Sequence, residues 1–182
     1  FQFQDLWMEL RPYQLPHPPI WVAGNPIKAG QIGSNLITEG TILDLPAIVQ
    51  KYLEVRNASE NLGSVFHFPE DSLVGASKRV FVGKDNELAV KRARESYDVH
   101  LSNYTKPMPH GKSRRPRIMI ENEIGSRILP WTVDFETAIN SERVLAGSST
   151  EVTEYIHRYK SDSGANFLLL SFQWGNLSHE EA

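Results

Sequence analysis

The feature of this sequence that most constrains its fold is a short apolar run that ends in Gly-Asn-Pro. Residues 20–23 read Ile-Trp-Val-Ala and are followed by Gly24, Asn25 and Pro26. Aromatic and β-branched residues bounded by turn residues predict a buried strand. Asn25 is a favourable helix N-cap, and Pro26 suits the first helical position because its missing N–H would have no partner there. The stretch therefore predicts a strand, a tight turn and a helix that continues to Gly33.

A turn of this kind also predicts a ligand site. It leaves main-chain N–H groups and the positive end of the helix facing one spot, which suits an anion and most often a phosphate. Gly24 has no Cβ, so a ligand could approach the main chain closely there. The alternative is an ordinary strand-to-helix connection whose cap has only a structural role.

The same order of strand and helix recurs along the chain. The predicted strands after the first are residues 36–38, 79–83 and 166–172, and the predicted helices begin at Asp44, Asp85, Ser148 and Ser178. The clearest helix starts with Ser148-Ser-Thr-Glu151, a capping box, and ends at Gly164. Its predicted buried face is Val152, Tyr155, Ile156 and Tyr159. The last strand is apolar on both faces, which is typical of a central parallel strand.

This alternation predicts the α/β class, with a parallel sheet and helices outside it. Four β-α units would form the second half of a (β/α)8 TIM-type barrel, which usually needs about 250 residues. A four-unit open, doubly wound sheet is the competing architecture. In both, ligands bind at the carboxyl ends of the strands. We therefore expect residues 1–182 to form a single partial domain, and residues 24–25, 38–40, 83–84 and 173–174 to surround one site.

Composition narrows the class of partners. The net charge is −3 and there are no cysteines, which gives no reason to expect a nucleic-acid partner and excludes disulfides and thiolate chemistry. No stretch approaches the roughly 20 apolar residues of a membrane span. We predict no metal site and no membrane partner, and we expect a cytoplasmic protein. The basic residues 106–117 are interpreted as a solvated surface loop, with a clamp for an acidic substrate as the alternative.

Several blocks of the chain resemble a known family. They read RPYQLPHPPIWVAGNP from Arg11, AGQIGSNLITEG from Ala29, RVFVGKDNELA from Arg79 and ERVLAGSSTEVTEYIHRY from Glu142, and the last block continues to Ala182. Their order and spacing resemble the second half of the bacterial-luciferase-like, flavin-dependent monooxygenases. The resemblance implies that the four predicted strands are the fifth to eighth of the barrel. It also implies FMN, reduced by a separate flavin reductase, O2 and a small organic substrate. A branch of the family uses a deazaflavin instead.

The resemblance also implies roles for particular residues. Val22, Gly24 and Asn25 align with the turn that contacts the flavin phosphate, in agreement with the local argument for an anion site. Arg79 aligns with an active-site position and is the candidate catalytic residue, holding an anionic substrate or the flavin peroxide through charge-assisted hydrogen bonds. The alternative is an arginine on the outer face of its strand, paired with a helix carboxylate.

Two further residues are candidates for a substrate pocket. Gln173 and Trp174 end the last predicted strand and would wall the flavin or the substrate, although simple packing at the barrel mouth is the favoured interpretation of Trp174.

The first half of such a barrel is not in this sequence. The chain is therefore expected either to be a fragment or to complete its barrel with another chain or a second copy, because half a barrel has unpaired strand edges. The predicted function is an FMN-dependent monooxygenase. The alternatives are a non-catalytic flavin-binding or barrel-completing subunit, and a deazaflavin-dependent oxidoreductase.

Overall fold

The structure is a computed structural model that describes residues 4, 13–14, 17–61, 71–105 and 133–182. In this part of the chain, strands and helices alternate as expected of an α/β protein. The strands are β1 (Trp21–Ala23), β2 (Asn35–Thr38), β3 (Val74–Gly83), β4 (Val144–Ser148) and β5 (Phe167–Ser171). The helices are α1 (Pro26–Gln31), α2 (Leu45–Asn61), α3 (Asn86–Thr105), α4 (Phe135–Asn140) and α5 (Ser149–Asp162).

The strands form one parallel sheet that is built around β3. β1 pairs with β2, and β2, β4 and β5 all pair with β3. Gly75 pairs with both Ile37 and Phe167, so β2 and β5 lie on opposite edges of β3. Arg79 pairs with both Val144 and Ser171, so β4 is also opposite β5. β2 and β4 therefore follow one another along the same edge of β3.

One face of the sheet is covered by α1, α2 and α5. Leu36 and Val74 pack with Tyr52 of α2, and Val80 packs with Tyr155 of α5. All of these side chains are buried. These clusters fix the register, because a shift by one residue would turn the apolar set of each strand to the other face.

The other face is covered only in part by described elements. Successive side chains of a strand point to opposite faces, so Phe81 lies on the face opposite Val80. There Phe81 and Val144 join a cluster with Tyr97 of α3 and Trp174. Helices therefore lie on both sides of β3 and β4, whereas a closed (β/α)8 barrel carries its helices on the outside alone.

The remainder of this second face forms no buried cluster among the described residues, and we call it the open face. The register places on it Trp21, Ile37, Ser77, Phe167 and Leu169. Trp21 is 38% exposed and Leu169 is 46% exposed. The Trp21 and Phe167 rings have centroids 4.8 Å apart, although three strand spacings, about 14 Å in a flat sheet, separate β1 from β5. The two rings therefore meet over the open face despite the strands that lie between them.

Much of the predicted local structure is confirmed. The parallel α/β sheet, the strand and helix on either side of Gly24, and the capping box at Ser148 and Glu151 are all observed. Gly164 follows α5 with φ +66°, as its predicted position requires. Residues 106–117 lie outside the described residues.

Other expectations are wrong. Five strands are described rather than four, because Val144–Ser148 is a strand that the sequence analysis missed. Among the described residues β3 is the one paired neighbour of β5, and every residue of β5 is at least partly exposed, so the described part of the chain does not bury β5 on both faces. Ile156 is 38% exposed, whereas the other residues of the predicted buried face, Val152, Tyr155 and Tyr159, are buried. Ser178 begins no helix, and Glu181 instead forms an ion pair with Arg92 of α3.

The tightest backbone approach in the sheet gives a test of the β3–β5 pairing. A Cβ at Gly75 would overlap the carbonyl group of Phe167, which is main chain and has no flexible end to move aside. We expect Gly75→Ala to lower the free energy of unfolding by about 2 kcal/mol or more, the size of an overpacking effect in a core. Urea denaturation followed by circular dichroism measures this.

Gly40→Ala is the matched control. Its new Cβ would meet the Cδ1 methyl of Ile48 at 3.1 Å, and that methyl ends a flexible side chain. The control should lose less than half as much stability as Gly75→Ala. Equal losses would show that β5 does not lie against Gly75 as described.

Candidate functional site

The turn between β1 and α1 has the predicted local structure. Gly24 has φ +70°, a left-handed conformation that glycine adopts without strain, and a Cβ there would meet open space. Asn25 is the N-cap of α1, and its Oδ1 accepts a hydrogen bond from the Lys28 N–H at 2.8 Å. Pro26 occupies the first helical position. The sequence therefore predicted the geometry of this turn from three residues.

The donors of this turn are already partly used. The Gly24 N–H donates to the Ile37 carbonyl at 2.8 Å, as part of the pairing of β1 with β2. The Lys28 N–H is taken by the cap. Asn25 and Ile27 are left to supply the remaining main-chain donors. The turn can contribute to a phosphate site, but it does not form a complete phosphate cradle by itself.

Val22 is directed away from this turn's open side. It packs against the buried cluster of α1 and α2, whereas Gly24 and Asn25 are exposed. The role of Val22 in binding the cofactor stays a prediction, and its side chain is accounted for by packing.

Trp174 is a core residue in this structure. It is 6% exposed and packs with the α3 cluster, and its Nε1–H donates to the Val80 carbonyl at 3.2 Å. The hydroxyl of Ser96 on α3 donates to the Trp174 carbonyl at 2.8 Å. Gln173, the preceding residue, is exposed. The structure therefore accounts for Trp174 by packing, and the pocket role of both residues stays a prediction.

The carboxyl ends of the strands do not lie level with one another. β2 ends at Thr38, which pairs with Ala76, while β3 continues for seven more residues to Gly83. Seven extended residues span about 23 Å. Gly40 and Lys84 are thus placed at different heights along β3, so the predicted ring of loops around one site is not found in the described structure.

Arg79 lies at the border between the open face and α3. It is half-buried and shares its face with Ser77 and Phe81 of the same strand. The groups that its charge influences are Tyr97 and His100 of α3. Burial, and then the charge of Arg79, lower the pKa of His100 to about 4, so this imidazole is neutral at pH 7.

A buried charged cluster, which the sequence analysis missed, lies between β2 and β4. Lys78 is 1% exposed, and its Nζ donates to the Gly40 carbonyl at 2.8 Å. Arg143, which precedes β4, forms an ion pair with Glu39 at 3.3 Å. The Glu142 carboxylate accepts hydrogen bonds from the Ile42 N–H at 2.8 Å and from the Tyr155 hydroxyl at 3.3 Å. These contacts join the loop after β2 to the residues before β4.

Burial and nearby charges set the protonation of this cluster. Burial lowers the pKa of Lys78 to about 8, and the carboxylates of Glu142 and Glu39 partly oppose that shift. Burial, and then Glu142, raise the pKa of Tyr155. The sequence analysis did not predict the burial of Lys78, because lysines are almost never fully buried unless they are paired.

A groove of about 390 Å³ opens at the other end of the sheet. It is lined by residues at or just before the starts of the strands, among them His17, Ile20, Trp21, Asn35 and Leu73. Ligands of parallel α/β sheets bind at the carboxyl ends of the strands, so this groove is not where the sequence placed the site. The described residues contain no cluster of three or more His, Asp or Glu that could hold a metal ion. None of the described helices is long and apolar enough to cross a membrane.

Comparison with known proteins supports the resemblance at the level of the fold. No family model matches the chain. An uncharacterized protein of Sinorhizobium fredii (strain NGR234) is 24% identical over 184 residues, a match that covers 97% of this chain and 48% of that protein.

Solved monooxygenase structures share the fold. The monooxygenase RslO1 from Streptomyces bottropensis has a TM-score of 0.61 at 18% identity, over 96% of this chain and 46% of that one. The oxygenating constituent of 3,6-diketocamphane monooxygenase from Pseudomonas putida is a type II Baeyer–Villiger monooxygenase in complex with FMN. It has a TM-score of 0.53 at 22% identity, over 88% of this chain and 43% of that one. The chain therefore spans about half the length of these proteins.

The lowered pKa of Lys78 predicts how stability depends on pH. Lys78 has its ordinary pKa of 10.5 when unfolded and about 8 when folded, so between these values the unfolded chain binds more protons. The free energy of unfolding should therefore rise with pH, by about 2 kcal/mol between about pH 8 and pH 9.5. Tyrosines ordinarily titrate near pH 10, above this window. Urea denaturation at several pH values measures the slope.

Lys78→Met serves as the control for this prediction. It removes the titrating group and keeps an unbranched apolar side chain, so its stability should change little over the same window. A slope that is equal in both proteins would show that another group titrates.

Proposed function

We propose that this chain is part of a flavin-dependent monooxygenase of the luciferase-like type, which uses reduced FMN and O2 to oxidise a small organic molecule. The observation that carries this proposal is the fold similarity to two monooxygenase structures, which covers 96% and 88% of the chain. One of the two is in complex with FMN. The FMN would be reduced by a separate flavin reductase.

The side chains of the open face fit the wall of a cavity better than they fit a solvated surface. Trp21 and Leu169 are large apolar side chains left partly exposed on it, and Ile37 and Phe167 lie beside them. A bound flavin supplies the reaction with O2, and the protein's task is to orient the reactants and exclude water. We propose that the open face becomes the wall of an interior cavity when further strands, from a longer chain or a partner chain, pair with its edges. Because α3 covers the carboxyl half of β3 on this same face, the barrel would depart there from the regular (β/α)8 arrangement.

We further propose that the flavin phosphate lies at the turn formed by Val22, Gly24 and Asn25. The open space beside Gly24 and the exposed Asn25 support this placement. Because the Gly24 N–H already donates to the Ile37 carbonyl, other donors would have to bind the phosphate as well. Gln173 and Trp174, which follow the end of β5, are proposed to border the substrate side, with Gln173 exposed and Trp174 packed behind it.

Asn25→Asp tests the phosphate site. Aspartate is as good an N-cap as asparagine, so α1 should keep its start. The added negative charge would repel the phosphate, and we expect the Kd for FMN to rise about tenfold, equivalent to roughly 1.4 kcal/mol. Titration of FMN followed by its fluorescence measures the affinity.

Riboflavin, which lacks the phosphate, is the control ligand for this variant. Its affinity should not change. If the variant binds FMN as tightly as the unaltered protein does, the phosphate lies elsewhere.

A second candidate function is a non-catalytic flavin-binding or barrel-completing subunit. The observation that favours it is the pairing of the described sheet: β1 has β2 as its paired neighbour and β5 has β3, so each keeps an edge for another strand. An assay with FMN, a flavin reductase, NADH and O2 separates the two functions. Substrate-dependent oxygen uptake with an oxygenated product supports the monooxygenase, and FMN binding without product supports the subunit. Tighter binding of a deazaflavin than of FMN would favour a deazaflavin-dependent oxidoreductase.

A further inference from the structure

Arg79 occupies a distinctive place on the open face. It pairs with Ser171 of β5, and the adjacent pair on the same face is Ser77 with Leu169. Paired residues of neighbouring strands stand about 4.8 Å apart, so one guanidinium and two hydroxyl groups are brought together. Ser171 is exposed and the other two are half-buried, which leaves this polar group accessible from the open face.

The guanidinium of Arg79 has no direct partner among the described residues. Within the described ranges, its guanidinium forms no ion pair, and no hydrogen bond from it is found. The carboxylate of Glu39 forms an ion pair with Arg143. It lies near Arg79, since both charges act on the pKa of Tyr97. The nearby His100 is neutral at pH 7, since its pKa is lowered to about 4 by burial and by Arg79. The carboxylate of Asp134, which also acts on Tyr97, accepts a hydrogen bond from the Thr137 N–H at the start of α4, so neither nearby carboxylate pairs with the Arg79 guanidinium.

The chemistry of the open face changes along the strands. From the level of Arg79 towards the amino ends, the side chains become apolar, with Leu169, Phe167 and Trp21. Gly75 lies four residues before Arg79, so this apolar stretch extends for about 13 Å. A surface with one unpaired cation at one end and exposed apolar side chains along the rest is complementary to a molecule with one anionic group and an apolar tail.

We propose that the open face binds a carboxylate with an apolar tail, with Arg79 as the anchor of the carboxylate. A guanidinium can donate two parallel hydrogen bonds to a carboxylate, which fixes its orientation as well as its position. Ser77 and Ser171 stand beside the carboxylate, and Leu169 and Trp21 contact the tail. The role of this molecule as substrate rests on the proposed function, whereas its binding does not.

Decanoate and decanol are the probes, because they share a tail and differ in charge. Isothermal titration of the chain should show decanoate binding, and Arg79→Gln should weaken it at least tenfold while leaving decanol unchanged. Arg79→Lys keeps the charge but loses the planar pair of donors, so it should weaken decanoate by a smaller factor. Arg158→Gln, which removes an arginine of α5 that lies over the Tyr155 ring, is the matched control and should change neither probe.

A second variant tests the tail. Leu169→Ser should weaken decanoate and decanol by similar factors, because it alters the apolar surface and leaves Arg79 in place. Thermal unfolding by circular dichroism confirms that each variant is folded, and if Arg79→Gln is not, the Arg79→Lys and Leu169→Ser results decide. Equal binding of decanoate before and after the change at Arg79, or no preference for decanoate over decanol, would overturn the proposal.

FMN binding, measured on the same samples, separates this inference from the proposed function. Decanoate binding that depends on Arg79 without any FMN binding would uphold the anion site and remove the flavin proposal. FMN binding without decanoate binding would do the reverse.

Discussion

The sheet depends on a lysine that is buried where two strands meet end to end. β2 stops and β4 begins along the same edge of β3, and Lys78 lies in β3 at this gap. Where no strand continues the ladder, main-chain groups would lose partners, and buried groups of this kind cost free energy. The hydrogen bond from Lys78 to Gly40, and the bonds of Glu142 and Arg143 to the loop after β2, fill the gap with charged side chains. One edge of the sheet is thus continuous through electrostatics rather than through backbone pairing.

The two faces of the sheet then serve different purposes. The face under α1, α2 and α5 is a packed core and contributes stability. On the opposite face, α3 and the segment around Trp174 cover the carboxyl half of β3. What is left uncovered carries mostly apolar side chains and has Arg79 at its border. The proposed flavin cavity and the proposed carboxylate site are both consequences of this incomplete cover.

The sequence predicted local structure better than it predicted the arrangement of strands. Asn25 with Pro26, and Ser148 with Glu151, carry cap signals that act over three or four residues, so both helix starts were found. Val144–Ser148 was missed because it is five residues long, contains a glycine and runs directly into that second signal. The burial of Lys78 and Trp174 could not be read from the chain, because it depends on residues such as Glu142 and Ser96 that are distant in sequence. The different heights of the strand ends likewise depend on pairing between residues that are distant in sequence.

The pairing of β3 has a consequence for how the chain assembles during synthesis. β3 pairs with β5, which is far from it in sequence. The edge of β3 that faces β5 stays without hydrogen-bond partners until Gly75 and Phe167 meet in register. Contacts between distant residues are slow to form, because the intervening chain must first lose much of its freedom. On the ribosome, β3 would leave the exit tunnel well before its last partner. For that interval the nascent sheet would display a long bare edge, the kind of intermediate that aggregates or recruits a chaperone.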